Sequence, residues 1–93
     1  MSYYTKGDEI TKIRSTMNTY KCFKEVQAMK ILGIIHNLDG SFIIQGPEED
    51  VVVSKEYIDK HIPLKGGYYV KYADGYESFS PAKAFEEGYK LVE

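Results

Sequence analysis

Gly66-Gly67-Tyr68-Tyr69-Val70-Lys71-Tyr72-Ala73-Asp74-Gly75-Tyr76-Glu77-Ser78-Phe79-Ser80-Pro81-Ala82-Lys83-Ala84-Phe85-Glu86-Glu87-Gly88-Tyr89, residues 66–89, is the stretch whose reading decides the fold. It spells a hairpin, a short capped helix and a stop. Asp74-Gly75 lies between two strand-like runs; glycine supplies the positive φ that tight hairpin turns require, and aspartate tolerates the turn beside it. A two-residue loop sets Tyr72 opposite Glu77 and Lys71 opposite Ser78. A three-residue loop, Ala73-Asp74-Gly75, closed by a glycine bulge pairs Tyr72 with Tyr76, Lys71 with Glu77 and Tyr69 with Phe79. The second register is favoured, because aromatic and opposite-charge pairs each add roughly 0.2–1 kcal/mol over alanine pairs. Downstream, Ser80 is expected to cap a helix whose first position is Pro81, where the missing N–H costs nothing. Ala82, Phe85 and Tyr89 share one face of that helix, and Gly88 is expected to end it in the left-handed region.

Upstream, the same loop chemistry recurs. Leu38-Asp39-Gly40 separates Ile34-Ile35 from Phe42-Ile43-Ile44, and both faces of these strands are apolar, which places them in the middle of a sheet. Tyr20 to Ile31 alternates imperfectly and reads as one strand broken near Lys24-Glu25. Gly46-Pro47-Glu48-Glu49-Asp50 is a turn, and Val51-Val52-Val53 a short buried strand. Ser54 caps a helix that runs to His61 and stops before Pro63, with Tyr57 and Ile58 turned inward. Leu91-Val92 adds a last short strand. The expected fold is a small single α+β domain over residues 18–93: an antiparallel sheet of two hairpins plus short strands, with two short helices. Residues 1–17 are polar and weakly periodic and read as a flexible N-terminal tail, and removal of residues 1–16 should leave the fold intact.

Composition bounds the function. At 93 residues, one domain is expected, and a net charge of −2 supplies no field for tracking nucleic-acid phosphates, so no direct nucleic-acid binding is expected. A single cysteine, Cys22, precludes an internal disulfide, and no apolar run approaches the ~20 residues of a membrane span. The opening Met1-Ser2-Tyr3-Tyr4-Thr5-Lys6-Gly7 lacks the pattern of a secretory signal, which points to an intracellular protein.

Catalytic groups are sparse. His36 and His61 have no cysteine or carboxylate at a metal-ligand spacing, so neither metal nor other cofactor is expected. His61 reads as a cation on a helix C-terminal dipole, and His36 as a cross-strand partner of Phe42. Cys22 reads as a buried inert thiol, and Glu48-Glu49-Asp50 as a solvated turn that lacks the spacing of a calcium loop. Gly66-Gly67 leads into a strand, not the helix of a phosphate cradle. There remain nine tyrosines and no tryptophan. In the favoured register Tyr68, Tyr72 and Tyr76 share a face and Tyr69 and Phe79 take the other; Tyr68, Tyr72 and Tyr76 are the candidate partner-binding residues.

Tyr20-Lys21-Cys22-Phe23-Lys24-Glu25-Val26-Gln27-Ala28, the segment Val53 to Pro63, and the closing motif from Tyr72-Ala73-Asp74-Gly75-Tyr76 through Ser80-Pro81-Ala82-Lys83-Ala84-Phe85-Glu86-Glu87-Gly88-Tyr89 together resemble small accessory proteins encoded by tailed bacteriophages. The resemblance spans roughly residues 18–93. It implies a viral protein in the host bacterial cytoplasm and assigns neither an activity nor a site residue. The function expected is non-enzymatic: binding of a host or phage protein, with inhibition of a host process as one form, by a homodimer whose partner surface includes the tyrosines. The alternative is a protein that sequesters a small ligand such as a defence nucleotide signal, against which stands the presence of one arginine, Arg14.

Overall fold

The computed structural model describes residues 3–6 and 24–92. In chain order these form β1 (Tyr3–Lys6), β2 (Glu25–Lys30), β3 (Gly33–His36), β4 (Phe42–Gln45), β5 (Asp50–Val53), α1 (Lys55–His61), β6 (Tyr68–Lys71), β7 (Glu77–Ser80), α2 (Ala82–Gly88) and β8 (Tyr89–Val92). The α+β class is as expected. The strands do not form one sheet, however. Among the described residues there is a five-stranded antiparallel sheet in the order β7-β6-β2-β1-β8 and a three-stranded one in the order β3-β4-β5.

The handover between sheets occurs at Ile31 and Leu32. Ile31 donates its N–H to Gly67 O and accepts from Gly66 N, both at 2.8 Å, which ties it to the first sheet; Leu32 N donates to Gln45 O at 2.8 Å, which ties it to the second. A chain that changes ladders within two residues must turn sharply, so β3 and β4 leave the first sheet instead of occupying its middle. Close packing at the turn requires Gly67, where a Cβ would lie 2.4 Å from the Phe79 ring.

Both hairpins use the loop read from the sequence. Tyr72 N donates to Tyr76 O at 2.9 Å, Gly75 N to Tyr72 O at 2.9 Å, and Gly75 has φ 91°. The ladder pairs Lys71 with Glu77 and Tyr69 with Phe79, the glycine-bulge register. In the β3–β4 hairpin Asn37 N donates to Ser41 O at 2.8 Å, Gly40 has φ 93°, and His36 pairs with Phe42.

Each face of the five-stranded sheet covers a core. Tyr69, Ile31, Ile44, Val53 and Tyr57 form one cluster between the two sheets and α1; Val26, Val70 and Phe85 form the other beneath α2. Burying such a side chain stabilises by about 1.5–3 kcal/mol each. α1 starts at its Ser54 cap, whose Oγ accepts from Tyr57 N at 3.1 Å, and ends at Ile62 in the left-handed region before Pro63. Tyr57 then donates its phenol hydrogen to Ser78 O at 2.7 Å, fastening α1 to β7.

Four expectations need correction. Ser80 does not cap α2: its backbone completes the β7 ladder opposite Tyr68, so Pro81 becomes the boundary residue and α2 begins at Ala82 with no side-chain cap bond. Gly88 does not end α2 in the left-handed region; it is the last helical residue, and Tyr89 enters β8 directly in extended conformation. Of Val51-Val52-Val53 only Val53 is buried, because β5 is an edge strand with alternating faces. Finally, Tyr3–Lys6, within the segment expected to be a flexible tail, is a strand between β2 and β8, pairing Tyr4 with Val26 on one side and with Leu91 on the other. Backbone ladder bonds hold it there, and these leave no trace in apolar periodicity. The remainder of residues 1–17, the boundary at residue 18 and the segment 20–23 lie outside the described residues.

Candidate functional site

The ionisable side chains inside the fold act as fasteners. Tyr57 and Tyr69 both have pKa values raised above the usual phenol range, chiefly by burial, and for Tyr69 also by its hydrogen bond to the Glu77 carboxylate. Both therefore remain donors, one to Ser78 and one to Glu77. His36 stacks on Phe42 with ring centroids 4.2 Å apart and planes within 4°. Among the described residues no group of histidine, cysteine and carboxylate side chains is arranged to hold a metal ion, and no helix is long and apolar enough to cross a membrane. Cys22 and Arg14 lie outside the described residues.

The candidate tyrosines divide. Tyr68 stacks on Phe85 at 4.2 Å and donates to Glu86 at 2.8 Å, with the Lys30 ammonium 5.5 Å from its ring. Its ring is thus engaged under α2. Tyr72 and Tyr76 instead meet at the tip of the β6–β7 hairpin, with ring centroids 5.9 Å apart. Tyr72 is half-buried against the Val26–Val70–Phe85 cluster and carries Lys24 over its ring at 4.4 Å. Tyr76 is 44% exposed, with Lys60 5.1 Å from its ring. Cation–π contacts at such exposed positions contribute about 0.5–1 kcal/mol.

Local sequence explains the tip. Asp74 accepts from Tyr76 N through Oδ1 at 2.9 Å, holding the turn that sets the two rings opposite each other. The α1 end closes against it: the His61 ring lies 4.9 Å from Tyr57 and 5.9 Å, edge-on, from Tyr76. His61 stands in the last turn of α1, as the helix-dipole reading has it, and burial first and Lys60 second lower its pKa below 6.5 despite the opposing pull of Glu77.

A second surface was not singled out by sequence. In the three-stranded sheet Ile34, Ile44 and Val51 pair across the strands on the inner face; Ile35, Ile43 and Val52 pair on the outer one. Ile35 is 43% exposed and Val52 66%, and Leu38 projects fully into solvent at the β3–β4 loop. Residues 31–54 contain no lysine or arginine; their charged residues are Asp39, Glu48, Glu49 and Asp50. Asp39 has its pKa lowered by hydrogen bonds from Ser41, so it is ionised at neutral pH. The available signal was the two-faced apolar pattern of β3 and β4, which reads as burial on both sides unless the second sheet is foreseen.

An open groove of about 700 Å³ runs between the β2–β6 face and the β4–β5 turn. Its lining carries the carboxylates of Glu48, Glu49 and Glu77 together with the ammonium groups of Lys30 and Lys71 and no arginine, a poor match for nucleotide phosphates.

No protein-family model matches this chain, and neither does any curated protein. Among solved structures, the chain is similar to the NMR solution structure of the monomeric form of the phage L decoration protein, with TM-score 0.56 and 28% identity over 73% of this chain and 52% of that one. The chain spans about half the length of that protein. The likeness agrees with the phage accessory class implied by the sequence resemblance.

Proposed function

We propose that the chain is a non-enzymatic phage accessory protein of the decorating kind, which attaches to an assembled phage particle by binding a phage protein at its surface. The observation that carries this reading is the likeness to the phage L decoration protein, at 28% identity with TM-score 0.56. The side-chain chemistry is consistent with it: Tyr57 and Tyr69 are held as hydrogen-bond donors, and Ile35, Leu38, Val52 and Tyr76 stand exposed as large apolar or aromatic side chains. The test is co-sedimentation of purified chain with particles of the phage that carries its gene, prepared without the protein. Saturable recovery with the particles is expected; a chain that stays in the supernatant at all concentrations contradicts the reading.

The homodimer expected from sequence we assign to the tip formed by Tyr72 and Tyr76. Lys24 and Lys60 lie there beside Asp74 and Glu77, so a second copy meets both signs of charge and an isologous contact can pair them. Sedimentation velocity tests it. A dimer that Tyr72→Ser with Tyr76→Ser dissociates supports the assignment, and a wild-type monomer at high concentration refutes it.

A further inference from the structure

We propose that the outer face of the three-stranded sheet, centred on Ile35, Ile43 and Val52, docks on a protein surface with an apolar centre ringed by lysine and arginine side chains. The inference deepens the attachment reading and rests on it for the partner's identity, while the chemistry of the surface stands on its own. Ile35 pairs with Ile43 and Ile43 with Val52, so the row crosses all three strands on one face. β-branched side chains are stiff at χ1 and lose little entropy when covered. Ile44, the inner-face residue next to Ile43 in β4, is fully buried and anchors the strand from beneath.

Charge decides the occupant. Asp50 lies two residues from Val52 in β5 and shares its face; Glu48 and Glu49 precede it in the adjoining turn, and Asp39 lies in the β3–β4 loop at the opposite end of the strands. Glu48, Glu49 and Asp50 form no ion pair among the described residues. The row is thus bracketed by carboxylates, with no lysine or arginine between Ile31 and Ser54; the imidazole of His36, which follows Ile35 on the opposite face of β3, stacks on Phe42. A second copy laid face to face brings these four carboxylates against the same four, and like-charge juxtaposition disfavours that pairing. A partner with an apolar centre and a basic rim satisfies both features at once.

Two arms test the proposal. In the first, amide NMR spectra of the full chain are recorded with two probes, an amphipathic leucine–lysine peptide and a leucine–glutamate peptide of equal length. The lysine peptide is expected to perturb residues 33–53, to bind more weakly as salt rises, and to lose about tenfold or more in affinity against Val52→Lys or Ile35→Lys, the scale of removing one centre residue. Equal binding of the two peptides, or perturbations centred on Tyr72 and Tyr76, overturns the proposal. In the second arm, wild type and Val52→Lys are compared in co-sedimentation with phage particles. Wild-type recovery lost in Val52→Lys supports the proposal. Recovery of both removes this surface and leaves the attachment reading standing; failure of wild type removes the attachment reading, and the peptide arm then decides the surface. Concentration-dependent self-association that Val52→Lys abolishes assigns the face to a second copy and refutes the proposal.

Discussion

The β6–β7 tip and the outer face of the three-stranded sheet are both exposed and both uncharged at their centres, yet they differ in what surrounds them. At the tip, Lys24 and Lys60 lie over the rings of Tyr72 and Tyr76, and Asp74 holds the turn. Around Ile35, Ile43 and Val52 the charged side chains of residues 31–54 are all carboxylates, and Lys30 and Lys71 come near only across the groove that Val52 borders. A surface with both signs can meet its own copy, whereas a surface of one sign selects a partner of the other. On the readings proposed above, two exposed apolar surfaces take different partners, and the rim makes the distinction.

The largest effects should separate the two buried cores from the outer face of the three-stranded sheet. Phe85→Ala and Ile44→Ala each remove a fully buried side chain and should cost about 3–5 and 2–5 kcal/mol respectively. Val52→Ala, eight residues along from Ile44 and on the outer face, should stay within about 0.5 kcal/mol, the range of ordinary surface substitutions. Urea unfolding checks all three, and a large loss from Val52→Ala would show that its face is covered within the monomer.

Next in size is removal of residues 1–6. β1 links β2 to β8, so its loss leaves Leu91 and Val92 without a neighbouring strand and should destabilise the chain by more than about 2 kcal/mol. Amide exchange should rise in β8 and remain unchanged in the three-stranded sheet. An unaltered unfolding curve would return this segment to the status of a tail.

A smaller effect concerns the base of the tip. Lys71→Glu sets like charges opposite each other and should cost about 0.2–1 kcal/mol, with recovery on adding Glu77→Lys. Recovery will be partial, because Glu77 also accepts from the Tyr69 phenol, and that donor loses its partner in the double mutant. Full recovery would mean that the Tyr69 hydrogen bond contributes nothing to stability.

The smallest effect is in pH dependence, where the two regions again part. His61 has a folded pKa below its ordinary 6.5, so the unfolded chain binds more protons in this range; stability is full above 6.5 and falls as pH drops through 6.5 towards the folded value. Asp39 in the three-stranded sheet also has a lowered pKa, but from 3.8, so its contribution is present above 3.8 and is lost only as pH falls through its folded value. Unfolding midpoints at pH 8 and pH 5.5 should differ slightly in wild type and converge in His61→Gln. An unchanged slope in that variant would move the dependence elsewhere.

Local chemistry made part of this structure legible. Asp39-Gly40 and Asp74-Gly75 specify both loops and their registers, and Ser54 with Pro63 bounds α1, because each acts within a few residues. What escaped was non-local. The ladder transfer at Ile31 and Leu32 depends on hydrogen bonds to Gly67 and Gln45, far along the chain, and it turned an expected single sheet into two. β1 is placed by backbone pairing with β2 and β8, to which side-chain pattern is blind. The same limit affected the candidate site: the tyrosine pair at 72 and 76 followed from the hairpin register, but Tyr68 is engaged by Phe85 from α2. The outer row of Ile35, Ile43 and Val52 emerges only once β5 is known to lie beside β4.

An electron cryomicroscopy reconstruction of phage particles saturated with the chain tests the central claim most directly. The expected map has the three-stranded sheet against the particle, with Ile35, Ile43 and Val52 over an apolar patch and lysine or arginine side chains near Asp39, Glu48, Glu49 and Asp50. A map with the Tyr72–Tyr76 tip against the particle, or with the three-stranded sheet facing solvent, would contradict it.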